Sequence, residues 1–123
     1  MGWEVYPEGL HHFPTWTHEN YTKGLPIYIT ENGMASADVA IDGGVEDRPR
    51  IDFLNLHFRE AHQAINDGIP LKGYFVWSLL DNFERSQGYD KRFGLVHVDF
   101  DTLKRTPKAY YHSNKEFLNS RKA

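Results

Sequence analysis

Two carboxylate-bearing clusters in this chain each follow an apolar run. Glu31 closes Leu25-Pro26-Ile27-Tyr28-Ile29-Thr30 and is followed by Asn32-Gly33. Asp81-Asn82-Phe83-Glu84 closes Gly73-Tyr74-Phe75-Val76-Trp77-Ser78-Leu79-Leu80. β-Branched and aromatic residues suit a pleated, buried strand, and Asn-Gly is a turn signal. Both clusters therefore fall at the C-terminal ends of strands. In parallel α/β proteins that end is where ligands bind and reactions occur. A glutamate that only closes a strand is the competing reading for Glu31. Histidine offers a different chemistry, metal binding, and there are seven. His11 and His12 are adjacent, so on a helix they point about 100° apart. His57 and His62 stand five apart, not the four that places two ligands on one helical face, and no His-Glu-x-x-His occurs. No dedicated metal site is expected.

Composition narrows the classes further. The chain has 123 residues, a formal net charge of −3 and no cysteine. The slight negative charge gives no electrostatic case for nucleic acid or an anionic membrane. Without cysteine there are no disulfides and no thiolate metal sites. No apolar run is long enough to span a membrane, and Met1-Gly2-Trp3-Glu4 does not read as a signal peptide. A cytoplasmic or recombinant origin is the default expectation, and the Asn20-Tyr21-Thr22 sequon is then read as chance. Aromatic residues make up 15% of the chain; most are expected in the core, and some suit the apolar faces of sugars.

The elements that must position the two clusters follow from pattern. Leu10, Phe13, Thr17 and Tyr21 lie at helical spacing before Gly24, with Pro14 predicting a kink or break. The first strand ends at Glu31. Ala35 to Glu46, centred on Asp42-Gly43-Gly44, reads as a mobile loop. Asp47 then looks like an N-cap with Pro49 in the first turn. Ile51, Leu54, Phe58, Ala61 and Ile65 form an apolar stripe, and Gly68 ends the helix. The strand Gly73–Leu80 is almost continuously apolar, as for a parallel strand covered on both faces. Arg92–Phe100 suits a short strand or hairpin arm. Thr106-Pro107 is expected to cap a last helix to about Leu118, with Tyr110, Phe117 and Leu118 inward. Two strand–helix units point to a parallel α/β architecture.

Three motifs in order, Ile29-Thr30-Glu31-Asn32-Gly33, Gly73–Glu84, and Gly88-Tyr89-Asp90-Lys91-Arg92-Phe93-Gly94-Leu95 followed by Val98-Asp99, resemble the C-terminal part of the family-one glycoside hydrolases. These are the retaining β-glucosidases and their relatives. The resemblance runs from about Gly2 to Leu118. It implies a (β/α)8 TIM barrel, which needs roughly 250 residues. Residues 1–123 then form a single piece: a quarter of a barrel, its last two βα units, completed by association. By the same resemblance Glu31 is the catalytic nucleophile. Trp77 is the aromatic floor under the sugar, Glu84 the carboxylate holding that sugar's outer hydroxyls, and Phe93 a residue lining the pocket. A retaining enzyme needs a second, protonated carboxylate about 5–5.5 Å from the nucleophile. The family carries it in a Thr-x-Asn-Glu-Pro stretch that this chain lacks. Asp38, Asp42 and Glu46 could approach Glu31, but nothing in the sequence fixes their distance. The isolated chain is therefore expected to lack efficient activity. The resemblance implies no metal or organic cofactor. Glu84 argues for neutral glucosides or galactosides over 6-phosphorylated sugars, because a carboxylate repels a phosphate.

The chain also departs from the family pattern. Arg85 replaces a usual tryptophan, Pro14 and Thr17 replace apolar helix positions, and Ser113 and Asn114 replace aromatics. Together with the Met1-Gly2 start, these changes admit an engineered or modified fragment and, equally, ordinary family variation. Two other functional classes stay open. One is a non-catalytic module that self-associates into a homo-oligomer or binds a complementary barrel fragment. The other is a small carbohydrate-binding domain using Trp3, Trp16 and Trp77, against which the apolar strand setting of Trp77 argues.

Overall fold

The computed structural model describes residues 2–120. Its elements in chain order are α1 (Gly9–Thr17) with a following π-helical turn (His18–Thr22), β1 (Ile27–Asn32), α2 (Arg48–Asn66), β2 (Leu71–Val76), β3 (Val96–Val98), β4 (Arg105–Pro107) and α3 (Ala109–Ser120). They fall into two compact units. The first comprises the described residues to Asn32 with Asp52–Val76, the second Gly33–Ile51 with the described residues from Trp77 onward. None of the described helices is long and apolar enough to cross a membrane.

In the first unit, β1 and β2 pair in parallel, with Ile27 opposite Leu71, Ile29 opposite Tyr74 and Asn32 opposite Val76. The parallel α/β expectation holds here. The second strand runs from Leu71 to Val76 instead of Gly73 to Leu80. Its expected last turn leaves the ladder because Ser78 spends its backbone elsewhere. The Ser78 N–H donates to the Phe93 carbonyl (3.2 Å), and its carbonyl accepts from Leu95 (2.9 Å). The expected burial of both faces does not hold. Successive strand residues face opposite ways. Phe58 of α2 meets the Tyr74 ring at 4.7 Å on one face, while Tyr28 and Phe75, on the other, are 53% and 58% exposed.

The α2 stripe is shifted from the expected one. Leu54, His57, Ala61 and Ala64 are buried, whereas Ile65 is exposed. The steps remain three and four residues, so the helical period is right and the register of the buried face is set by packing. Gly68 ends α2 as expected: at φ 89 its N–H reaches the Ile65 carbonyl and that of Ile69 reaches Ala64, each at 3.0 Å. This pair of bonds satisfies the last carbonyls of the helix. Leu54 has no exposed surface, so Leu54→Ala is expected to destabilise the chain by about 2–5 kcal/mol, read from the urea midpoint. A cost below 1 kcal/mol would show that the site collapses around the cavity.

Pro14 does not break α1. It lies inside the helix and is buried, and the backbone widens into the π-helical turn only after Thr17. Lys23, in a left-handed conformation, closes that turn. Of the residues at helical spacing, Phe13 and Tyr21 are 67% and 68% exposed. They flank Trp16, stacked at 6.2 Å and edge-on at 5.1 Å respectively.

In the second unit, β3 and β4 form an antiparallel pair with His97 opposite Thr106. Thr106-Pro107 therefore belongs to a strand, not to a helix cap, and α3 begins at Ala109. Tyr110 is buried as expected, but Phe117 and Leu118 are exposed. The 35–46 loop is organised by two features. Ser36 bridges Arg92, and Ile41 pairs with Gly44 around Asp42-Gly43. Both central residues of that turn have positive φ, the backbone that closes a two-residue hairpin.

Candidate functional site

Glu31 is the penultimate residue of β1 and is exposed. Asn32, expected in a turn, completes the strand, and its side-chain oxygen accepts the Tyr74 hydroxyl at 2.5 Å. That bond ties the last residue of β1, directly after Glu31, to β2. The remaining expected site residues, Trp77, Glu84 and Phe93, belong to the second unit. The Trp77 indole N–H donates to Glu84 Oε1 at 3.3 Å. A carboxylate has about four lone-pair directions, so this bond leaves Glu84 able to accept two vicinal hydroxyls beside an aromatic face. Phe93 is buried within the same unit.

The segment between Trp77 and Glu84 is held at its middle. The Asp81 side chain is fully buried. Its Oδ1 accepts the Gly94 N–H (2.9 Å) and Lys108 Nζ (2.8 Å), and its Oδ2 accepts Arg92 Nη1 (3.0 Å) and the Val98 N–H (3.3 Å). Only a glycine admits this approach: a Cβ at Gly94 would lie 2.2 Å from the Asp81 nitrogen. Lys108 also donates to Asp38 at 2.5 Å. Asp38 in turn accepts Arg50 Nη2 at 2.8 Å, and Arg50 Nη1 meets Asp47 at 2.5 Å. Asp47 precedes α2, and its carbonyl accepts the first helical N–H groups. Its carboxylate also accepts the Tyr110 N–H at 2.8 Å.

This network corrects the reading of Asp38 as a loop carboxylate able to approach Glu31. Its side chain is 2% exposed and committed to Lys108 and Arg50. Burial raises the Asp38 pKa, but the Lys108 hydrogen bond and the charges of Arg50 and Lys108 outweigh it and hold the carboxyl below its ordinary value. No group of three or more His, Asp or Glu side chains arranged to hold a metal ion occurs among the described residues.

Two histidines respond to pH in the opposite sense from a paired cation. Burial lowers the pKa of His57, against the Phe53 carbonyl that its Nδ1 meets at 2.7 Å. Burial, then the charge of Arg92, lowers that of His97. Each folded pKa lies below the unfolded value, so between the two the unfolded chain binds more protons. Their contribution is fully present above about pH 6.5 and is lost as pH falls towards the folded values. His57→Gln/His97→Gln is therefore expected to flatten the fall in urea midpoint as pH drops below about 6.5. An unchanged slope would assign the acid sensitivity to the carboxylates.

The first unit thus carries a carboxylate at the end of a strand in a parallel pair, and the second carries an indole–carboxylate pair. The model described as glycosyl hydrolase family 1 matches residues 1–122, and the chain belongs to that family. It is 53% identical to a β-glucosidase from Thermotoga maritima solved in complex with glucoimidazole, at a TM-score of 0.87 over 93% of this chain and 26% of that one. The GH1 β-glucosidase from Exiguobacterium antarcticum B7 is 43% identical, at a TM-score of 0.95 over 99% of this chain and 27% of that one. A 6-phospho-β-galactosidase of Streptococcus equi subsp. zooepidemicus is 46% identical over 112 residues, 89% of this chain and 24% of its own length. The chain thus spans about a quarter of the length of the relatives it matches.

Proposed function

We propose that this chain supplies the nucleophile-bearing part of a retaining β-glycosidase acting on neutral β-glucosides, within a (β/α)8 barrel of which it forms the last two βα units. The observation that carries this reading is the Trp77 indole held on the Glu84 carboxylate at 3.3 Å, in a member of this family. Glu31 attacks the anomeric carbon, the C–O bond to the leaving group breaks, and a glycosyl ester forms on its carboxylate. Water then hydrolyses the ester with net retention. Trp77 underlies the sugar, Glu84 accepts from its outer hydroxyls, and Phe93 backs the pocket. The acid that protonates the leaving group comes from outside this sequence, so the isolated chain is inactive. Glu84 favours neutral sugars over the phosphorylated ones named for the streptococcal relative.

An activated 2-fluoroglucoside tests the nucleophile, because its leaving group departs without an acid and the fluorine slows hydrolysis of the ester. Supplied to the chain together with a polypeptide equivalent to the rest of a relative, it is expected to label Glu31, located by peptide mass mapping. A label on another carboxylate, or no label, overturns the assignment.

A second reading, a self-associating non-catalytic module, is favoured by the open Tyr28 and Phe75 face. A mass that rises with concentration by light scattering, with no Glu31 labelling, would select it.

A further inference from the structure

The segment Trp77–Glu84 carries the proposed sugar contacts at both ends and is closed end to end by the Trp77–Glu84 bond. Inside it, Asn82 Nδ2 donates to Ser78 Oγ (2.9 Å) and to the Leu80 carbonyl (3.1 Å). Those bonds shape the segment without fixing it to anything else. Backbone bonds of Ser78 to Phe93 and Leu95 and of Leu79 to Val96 tie its first half to the neighbouring chain, and Asp81 adds the side-chain anchor: its N–H donates to the Val96 carbonyl at 3.1 Å, and its carboxylate takes four donors. Of these, Lys108 alone is a fully buried cation, whereas the Arg92 side chain is 18% exposed. Lys108 has no place in the proposed chemistry and lies 27 residues from Asp81. Nothing about the α3 entry requires a buried ammonium at that position; the Ala109 N–H, for instance, is already satisfied by the Val45 carbonyl.

We propose that Lys108 is a positioning residue for the sugar-holding segment, acting through Asp81 to hold the Trp77 indole on Glu84. This rests on the reading that Trp77 and Glu84 hold the sugar, although its test does not. A bond between a buried charge and its partner is stronger than a neutral one, and its loss leaves Asp81 a buried carboxylate with one cation fewer. The segment then opens locally before the unit unfolds.

The test is hydrogen exchange of the Trp77 indole N–H in the full chain, followed by NMR. Lys108→Met is expected to speed it about tenfold or more, with amide protection in β3 and β4 changed far less, and Lys108→Arg is expected to restore most of it. Should Lys108→Met fail to fold, Lys108→Met/Asp38→Asn balances the buried charges again while still cutting the link to Asp81. The indole of that variant is expected to exchange just as fast, whereas Asp38→Asn alone leaves it unchanged. An unchanged Trp77 exchange in folded Lys108→Met or in Lys108→Met/Asp38→Asn, or a rise shared equally by β3 and β4, overturns the proposal. Fluoroglucoside labelling of Glu31 is a separate readout, so the two proposals can fail independently.

Discussion

Mixed with a polypeptide equivalent to the other three quarters of a family relative, this chain is expected to hydrolyse an unactivated β-glucoside at least about 10²–10⁴-fold faster than either piece alone. That range is what a positioned general acid contributes, and this sequence contains no Thr-x-Asn-Glu-Pro stretch to supply one. The recovered pocket adds to it. The edges of the first unit's sheet are where the complement is expected to bind. Among the described residues β1 and β2 form a sheet of only two strands, so each keeps an outer edge of unpaired backbone groups, and such edges recruit further strands. Tyr28 and Phe75 present an exposed apolar face on the same sheet. The rate measured against complement concentration should saturate, and Glu31→Gln should abolish the gain. A chain as active alone as in the mixture would mean that some other carboxylate of this sequence acts as the acid. Asp38 is no candidate, being committed to Lys108 and Arg50.

The second large effect concerns stability. Arg50→Met is expected to cost about 3–5 kcal/mol, because it leaves Asp38 and Asp47 buried with part of their partners gone. Small domains are stable by only about 5–15 kcal/mol in total, so the urea midpoint should fall steeply. The carboxylates left behind, not the lost attraction, dominate that cost. Arg50→Met/Asp47→Asn should therefore recover part of the loss, although it removes a second member of the network. A double variant less stable than the single would show that the charge of the Asp47 carboxylate on the Tyr110 N–H, which an amide oxygen only partly replaces, contributes more than its burial costs.

What could be read from sequence was what local chemistry decides. Asp47, Pro49 and Gly68 bracket α2 at the expected residues, because turn and proline signals and a left-handed glycine act within a few residues, although the Asp47 carboxylate serves Arg50 and the Tyr110 N–H and does not cap the helix. The strand ending near Glu31 and the parallel partner that follows were legible for the same reason. The motifs around Trp77 and Glu84 are local too, and they carry the likeness to the family to which the chain belongs. What escaped depends on partners distant in the chain. Lys108 and Asp38 are 70 residues apart, and no spacing rule connects them. The second strand stops at Val76 because Phe93 and Leu95 take the backbone of Ser78, whereas hydrophobicity alone continues to Leu80. Phe13, Tyr21 and Ile65 lie at helical spacing yet are exposed, because period fixes which residues share a face but not which face is covered.

The two-residue turn at Asp42-Gly43 has one more consequence. Its residues are exposed, a side chain at Gly43 would meet nothing within 4 Å, and the backbone bonds between Ile41 and Gly44 close it from below. The ion pairs of Asp38 and Asp47 lie on either side of it in the chain. Length can therefore change at this tip while the anchors on both sides stay in register, as exposed loop tips tolerate insertion. It is the natural graft point of the molecule, where a reporter peptide or a longer specificity loop could be carried without disturbing the residues that fold the second unit.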